Sequence, residues 1–128
     1  MGVLLAVLAA ACHGPDLYET SEGPATFLNG REARVESLDV SEALRLPSPV
    51  RAYVRGYLYA PFDDRPQLCA RLEESGGCRG ASLYLDASAA TFFNAAALEV
   101  GCCATGYWSP HPVVLQLAIR GRKAELLS

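Results

Sequence analysis

Val50-Arg-Ala-Tyr-Val-Arg-Gly-Tyr-Leu-Tyr-Ala60 alternates without a break. Val50, Ala52, Val54, Gly56, Leu58 and Ala60 fall on one side, and Arg51, Tyr53, Arg55, Tyr57 and Tyr59 on the other. Successive side chains of an extended chain point to opposite faces, so this stretch predicts a strand with one face on a core and the other toward solvent. Gly56 has no side chain to pack, which predicts a bend, a bulge or a close backbone approach at mid-strand.

Upstream, Asp39-Val-Ser-Glu-Ala-Leu-Arg-Leu46 predicts a short helix. Asp39 or Ser41 can cap it, Asp39 and Glu42 have capping-box spacing, and Pro47 stops it. Downstream, residues 61–66 (Pro-Phe-Asp-Asp-Arg-Pro) form a turn. Gln67 to Glu74 fits either a strand or a helical turn, and Leu68 and Leu72 share a face in both. Ala81 to Asp86 predicts a second strand with Leu83 and Leu85 inward. Ser88 caps an Ala-rich helix running to about Leu98 that buries Phe93 with Ala90 and Ala97. Pro112 to Arg120 predicts a strand with Val113, Leu115, Leu117 and Ile119 on one side, and Gly121-Arg122 turns it into a last strand, Lys123 to Leu127. The fold expected is mainly β: a small five-stranded barrel with one or two short helices, closed so that few edges remain exposed.

The N-terminus supplies the location. Gly2 to Ala11 is an uncharged apolar run that ends at Cys12. As a helix it spans about 15 Å, half a bilayer core, which suits the h-region of a signal peptide and not a permanent span. Leu8-Ala9-Ala10-Ala11-Cys12 resembles the bacterial lipobox, whose cysteine receives fatty acyl chains. That resemblance implies a lipid anchor on Cys12; a plain secretory cleavage near Ala11 and a buried N-terminal segment are the other readings. The domain organisation expected is a signal segment at 1–11, a lipid-anchored tether rich in Gly, Pro and Ser at 12–30, and the barrel at 31–128. Export leads to the cell membrane or the outer membrane.

Two further stretches carry a family resemblance. Asp39-Val-Ser-Glu-Ala-Leu44 followed by Pro49-Val-Arg-Ala-Tyr-Val-Arg-Gly-Tyr-Leu58 resembles the opening of small bacterial exported proteins with OB-like folds. Leu68-Cys69 and Cys78-Arg79-Gly80, ahead of the strand at 82–86, resemble the paired-cysteine pattern of small lipoproteins. The likeness covers residues 39–86 and implies a fold more than an activity.

Five cysteines less Cys12 leave Cys69, Cys78, Cys102 and Cys103. An even count in an oxidising compartment reads as disulfides. Cys69 and Cys78 are expected to pair across Gly76 and Gly77. Cys102 and Cys103 stay unassigned, because adjacent side chains diverge and a vicinal bridge is strained. Pairing with Cys69 or Cys78, a free thiol and a crosslink between molecules all remain open. No C-x-x-C spacing supports a zinc site.

Chemistry-bearing motifs are sparse. The chain has two histidines: His13 in the tether, and His111 in Ser-Pro-His-Pro, which reads as a solvated loop. Asp63, Asp64 and Asp86 form no calcium-loop pattern and suit turns and strand ends. No nucleophile elbow, zinc-protease or phosphate-loop motif occurs, so neither catalysis nor a cofactor or metal is expected. A net charge of −3 lacks the positive field that nucleic-acid binding needs. The feature to follow is the face of Arg51, Tyr53, Arg55, Tyr57 and Tyr59, with Tyr107 and Trp108 extending it or capping one barrel end. Interleaved guanidinium and aromatic groups are what binding hot spots use. The function expected is a non-catalytic envelope lipoprotein, a binding or assembly module whose partner is an envelope protein or a glycan. A structural or stress-related surface spacer is the alternative, and a thiol-dependent redox protein or enzyme is a third reading.

Overall fold

The long alternating strand is the member on which the rest of the fold is assembled. A computed structural model describes residues 24–73, 77–100 and 106–127. Its elements are β1 (Leu38–Asp39), α1 (Val40–Arg45), β2 (Val50–Pro61), β3 (Gln67–Leu72), β4 (Cys78–Leu85), a 3-10 helix (Ala89–Phe92), β5 (Glu99–Val100), β6 (Gly106–Trp108), β7 (Val113–Arg120) and β8 (Lys123–Leu126).

Five strands close a barrel. β2 pairs antiparallel with β3, and β3 with β4. β4 runs parallel to β8, β8 pairs antiparallel with β7, and β7 returns antiparallel to β2. β2 closes the ring because it is long enough to serve two partners: residues 50–56 lie on β7 and residues 57–59 on β3. β1 fills part of its remaining edge, with Leu38 opposite Val54. This is the small, closed, five-stranded barrel expected from the order of the elements.

Val54, Leu58, Leu68, Leu83, Leu85, Val113, Leu115, Leu117 and Ile119 fill the interior and are buried. At Gly56 the close approach is real: a Cβ there would stand 2.8 Å from the Cys69 carbonyl oxygen and 2.9 Å from Val40 Cγ2. Only a residue without a side chain lets β3 and α1 come this near. α1 is held by both bonds of a capping box. The Glu42 N–H donates to Asp39 Oδ1 at 2.7 Å, and the Asp39 N–H donates to Glu42 Oε1 at 3.4 Å. The bond from the Glu42 backbone is the main reason that the Asp39 carboxyl sits below its usual pKa. Leu46 is extended and Pro47 follows, which ends the helix as expected.

Three expectations are corrected. The Ala-rich helix to Leu98 is one 3-10 turn and a run of i→i+3 bonds: Phe93 N–H to Ala90 O, Ala95 N–H to Phe92 O and Leu98 N–H to Ala95 O. The Ala97 N–H bonds instead to Leu28 O at 3.1 Å, so its backbone is tied to another segment and unavailable to a helix. With three residues per turn the buried ring is Phe92, at 0 % exposure, while Phe93 is 57 % exposed. Ser88 makes no side-chain cap bond.

Second, Gln67–Leu72 is a strand, but Leu68 and Leu72 do not share a face. The register with β4 shifts between Cys69 and Arg71, where two residues of β4, Gly80 and Ala81, face the single Ala70 and the pairing beyond is offset by one. Leu68 joins the barrel core; Leu72 joins Cys69 in a second cluster outside it.

Third, the part of the tether from Pro24 to Gly30 lies against the barrel. Thr26 donates to Pro112 O and accepts from the Val114 N–H, and Leu28 packs on the core. Val114, an outward position of β7, is buried where this segment runs beside it. The signal segment, Cys12, His13 and the tether to residue 23 lie outside the described residues, as do Cys102 and Cys103.

Candidate functional site

The outer face of β2 divides into two regions. Arg51, Tyr53 and Arg55 stand opposite Ala118, Gln116 and Val114 of β7. Tyr53 is 36 % exposed, and Arg51 and Arg55 are exposed. Neither arginine enters an ion pair among the described residues, where Arg34–Glu32 is the pair formed. Beside this stripe an open groove of about 580 Å³ is lined by Val35 to Leu38 together with Ala52, Tyr53 and Arg55. Exposed Val35 gives the groove an apolar lip.

Tyr57 and Tyr59 belong elsewhere. Both are half-buried against Cys69, Leu72, Cys78 and Trp108. Tyr59 stands opposite Trp108 of β6 on one edge and Gln67 of β3 on the other, and Tyr57 stands opposite Cys69. Cys69 and Cys78 form the disulfide, with their Cα atoms 5.1 Å apart. Trp108 is 7 % exposed and roofs this small outer core, so it does not extend the stripe. The next residue, Ser109, is fully buried; its Oγ accepts the Leu58 N–H at 2.8 Å and its N–H donates to Leu58 O at 3.0 Å. That exchange anchors the end of β6 to β2 at Leu58.

Tyr107 faces another way. Its ring meets Phe62 edge-on at 5.3 Å and Phe93 at 5.5 Å. The three rings gather at one end of the barrel, around the turn after β2 and the 3-10 helix. Of the seven residues assigned to one face, the structure therefore leaves Arg51, Tyr53 and Arg55 as a contiguous exposed set.

A second concavity was not foreseen. β4, β8 and β7 bring Tyr84, Lys123 and Arg120 into one row across the outer wall, since Tyr84 is opposite Lys123 and Lys123 opposite Arg120. In the next row Glu125 faces Ala118, and Ala118 faces Arg51. The small Ala118 leaves a depression of about 390 Å³, which Arg65 and Asp86 border as well. Tyr84 is 41 % exposed. Each of these is an outward position on its strand or a turn residue, so alternation marks it as solvent-facing, but only the closed register brings them together.

Asp63, Asp64 and Asp86 are exposed, and Asp64 Oδ1 accepts the Arg65 N–H at 2.7 Å, a turn role. His111 is exposed in its loop. Among the described residues no group of three or more His, Cys, Asp or Glu is placed to hold a metal, and no helix is long and apolar enough to cross a membrane. The chain matches no protein-family model, no curated protein and no solved structure.

Proposed function

We propose that this chain is a non-catalytic cell-envelope lipoprotein, anchored through lipid on Cys12, whose barrel docks an envelope protein at a membrane surface. The observation that carries this reading is the stripe of Arg51, Tyr53 and Arg55, exposed and without ion-pair partners among the described residues, beside the groove at Val35 to Leu38. A solvated face with no task gains little from two guanidinium groups flanking an exposed ring; such groups become stabilising when a partner desolvates them. The Cys69–Cys78 disulfide supports an oxidising compartment, since such bonds rarely persist in a reducing cytosol. Two acyl chains on one cysteine would hold the protein at the membrane without a basic patch, consistent with its net charge of −3.

The experiment is site-specific photo-crosslinking in cells. A crosslinker at Tyr53 should give a discrete adduct with an envelope protein, and one at Thr91, near the aromatic end, should not. Arg51→Ser with Arg55→Ser should remove the Tyr53 adduct while leaving the unfolding temperature unchanged. An adduct that survives both substitutions, or no adduct at Tyr53, rules out this surface.

A further inference from the structure

We infer that the depression over Ala118 is a binding site for an acidic saccharide, a sugar ring bearing a carboxylate or a phosphate. The inference rests on the binding reading above and adds to it a ligand class and a second set of residues.

Three cations and two anions border the hollow: Arg65, Arg120 and Lys123 against Asp86 and Glu125. The local balance is one positive charge in a chain whose net charge is −3. Among the described residues none of these five side chains is in an ion pair or a side-chain hydrogen bond, although opposite charges share one rim. Unpaired guanidinium, ammonium and carboxylate groups around one concavity are donors and acceptors open to a ligand. The rim is also held in place. Gly121, at φ +64°, makes the tight turn that sets Arg120 and Lys123 opposite each other, and its N–H donates to Ser48 Oγ at 2.9 Å. Arg65 is fixed at its backbone by Asp64, and the Tyr84 N–H donates to Arg122 O at 2.8 Å.

The mixture of groups selects the ligand. Tyr84 offers an exposed ring on which the apolar face of a sugar can lie. The cations suit one carboxylate or phosphate, with arginine able to bind it in a bidentate manner. Asp86 and Glu125 accept hydrogen bonds and donate none, so they call for hydroxyls. A hydroxyl-rich ring with a single anionic group meets all three demands. A polyphosphate backbone does not, because two carboxylates in the same hollow repel repeated phosphates. The volume, toward the small end of the range for small-molecule sites (roughly 300–1,000 Å³), suits a short saccharide.

The test is calorimetric titration of the full chain with trigalacturonate, mannose 6-phosphate, neutral maltotriose and a ten-residue oligothymidylate. At least one acidic probe should bind, the carboxylate and phosphate arms distinguishing the two sources of negative charge. Its affinity should fall as salt rises. Maltotriose and the oligothymidylate should bind at least tenfold more weakly. Arg120→Gln with Lys123→Gln should weaken the acidic probe at least tenfold, and Tyr84→Ser should weaken it more than Tyr84→Trp, which keeps a ring. In the unmodified chain the probe should slow amide exchange around 84–86 and 120–125, a readout that needs no variant. Failure of both acidic probes, equal binding of maltotriose, tighter binding of the oligothymidylate, or an affinity unchanged in the Arg120/Lys123 variant overturns the site. A chain that ignores both acidic probes yet keeps its Tyr53 crosslink loses the saccharide site alone.

Discussion

Replacing Gly56 with alanine sets two rules against each other. Gly56 lies within β2 and outside the positive-φ region, so a strand glycine there should be weakly unfavourable in itself. Conformational entropy alone predicts that alanine stabilises the fold by about 0.5–1 kcal/mol. The packing predicts the reverse. The new methyl would sit 2.8 Å from the Cys69 carbonyl oxygen, 2.9 Å from Val40 Cγ2 and 3.1 Å from Leu68 Cγ. The first contact is backbone within the β2–β3 ladder, where Tyr57 is paired with Cys69, and no rotamer change relieves it. Overpacking of this kind costs about 1–3 kcal/mol, which outweighs the entropy gain. Net of the entropy gain, a loss of up to about 2.5 kcal/mol lowers the unfolding temperature of a domain of this size by up to roughly 20 °C. Urea unfolding followed by circular dichroism should show a lower midpoint at unchanged slope. A midpoint equal to or above that of the parent would refute the close approach of β3 and α1 to β2.

Phe92→Ala should cost about 3–5 kcal/mol and Phe93→Ala well under 1, read from the same urea curves; similar losses for both would contradict the 3-10 geometry. Breaking the Cys69–Cys78 bridge with a paired Cys→Ser substitution should cost about 2.5–3 kcal/mol by loop entropy, measured by thermal unfolding. Asp39→Ala should cost about 1 kcal/mol at neutral pH through loss of the cap. Because the Asp39 pKa is depressed by folding, the contribution from its charge is complete above the ordinary value of 3.8 and is lost as pH falls through the folded one. The gap between parent and Asp39→Ala should therefore narrow in acid, and a gap that widens there would contradict the capping bond.

Much of the barrel was legible because it rests on short-range rules. The alternation of residues 50–60, the inward Leu83 and Leu85, the inward set of β7, and the Asp39–Glu42 box each follow from a window of a few residues. The reversal at Leu72 was not legible, since a bulge arises from pairing with a partner strand. Phe92 and Phe93 exchanged places because helix type is set here by where the Ala97 and Leu28 backbones meet. The outer face of β2 was half legible. Alternation separates two faces of β2 but says nothing of what covers the outer one, and β6 with the disulfide covers Tyr57 and Tyr59 while leaving Tyr53 open. The depression over Ala118 draws on Arg65, Tyr84, Arg120 and Lys123, from separate segments, so only the closed register reveals it.

Intact-mass analysis of the native protein extracted from membranes, alkylated without reduction, tests most directly whether this barrel works outside the cytosol on a lipid. The expected product begins at Cys12, carries the mass of its acyl chains, and leaves Cys69 and Cys78 unlabelled. Recovery of a soluble chain that retains Met1, with Cys69 and Cys78 alkylated, would contradict the anchor, the compartment and the envelope role together.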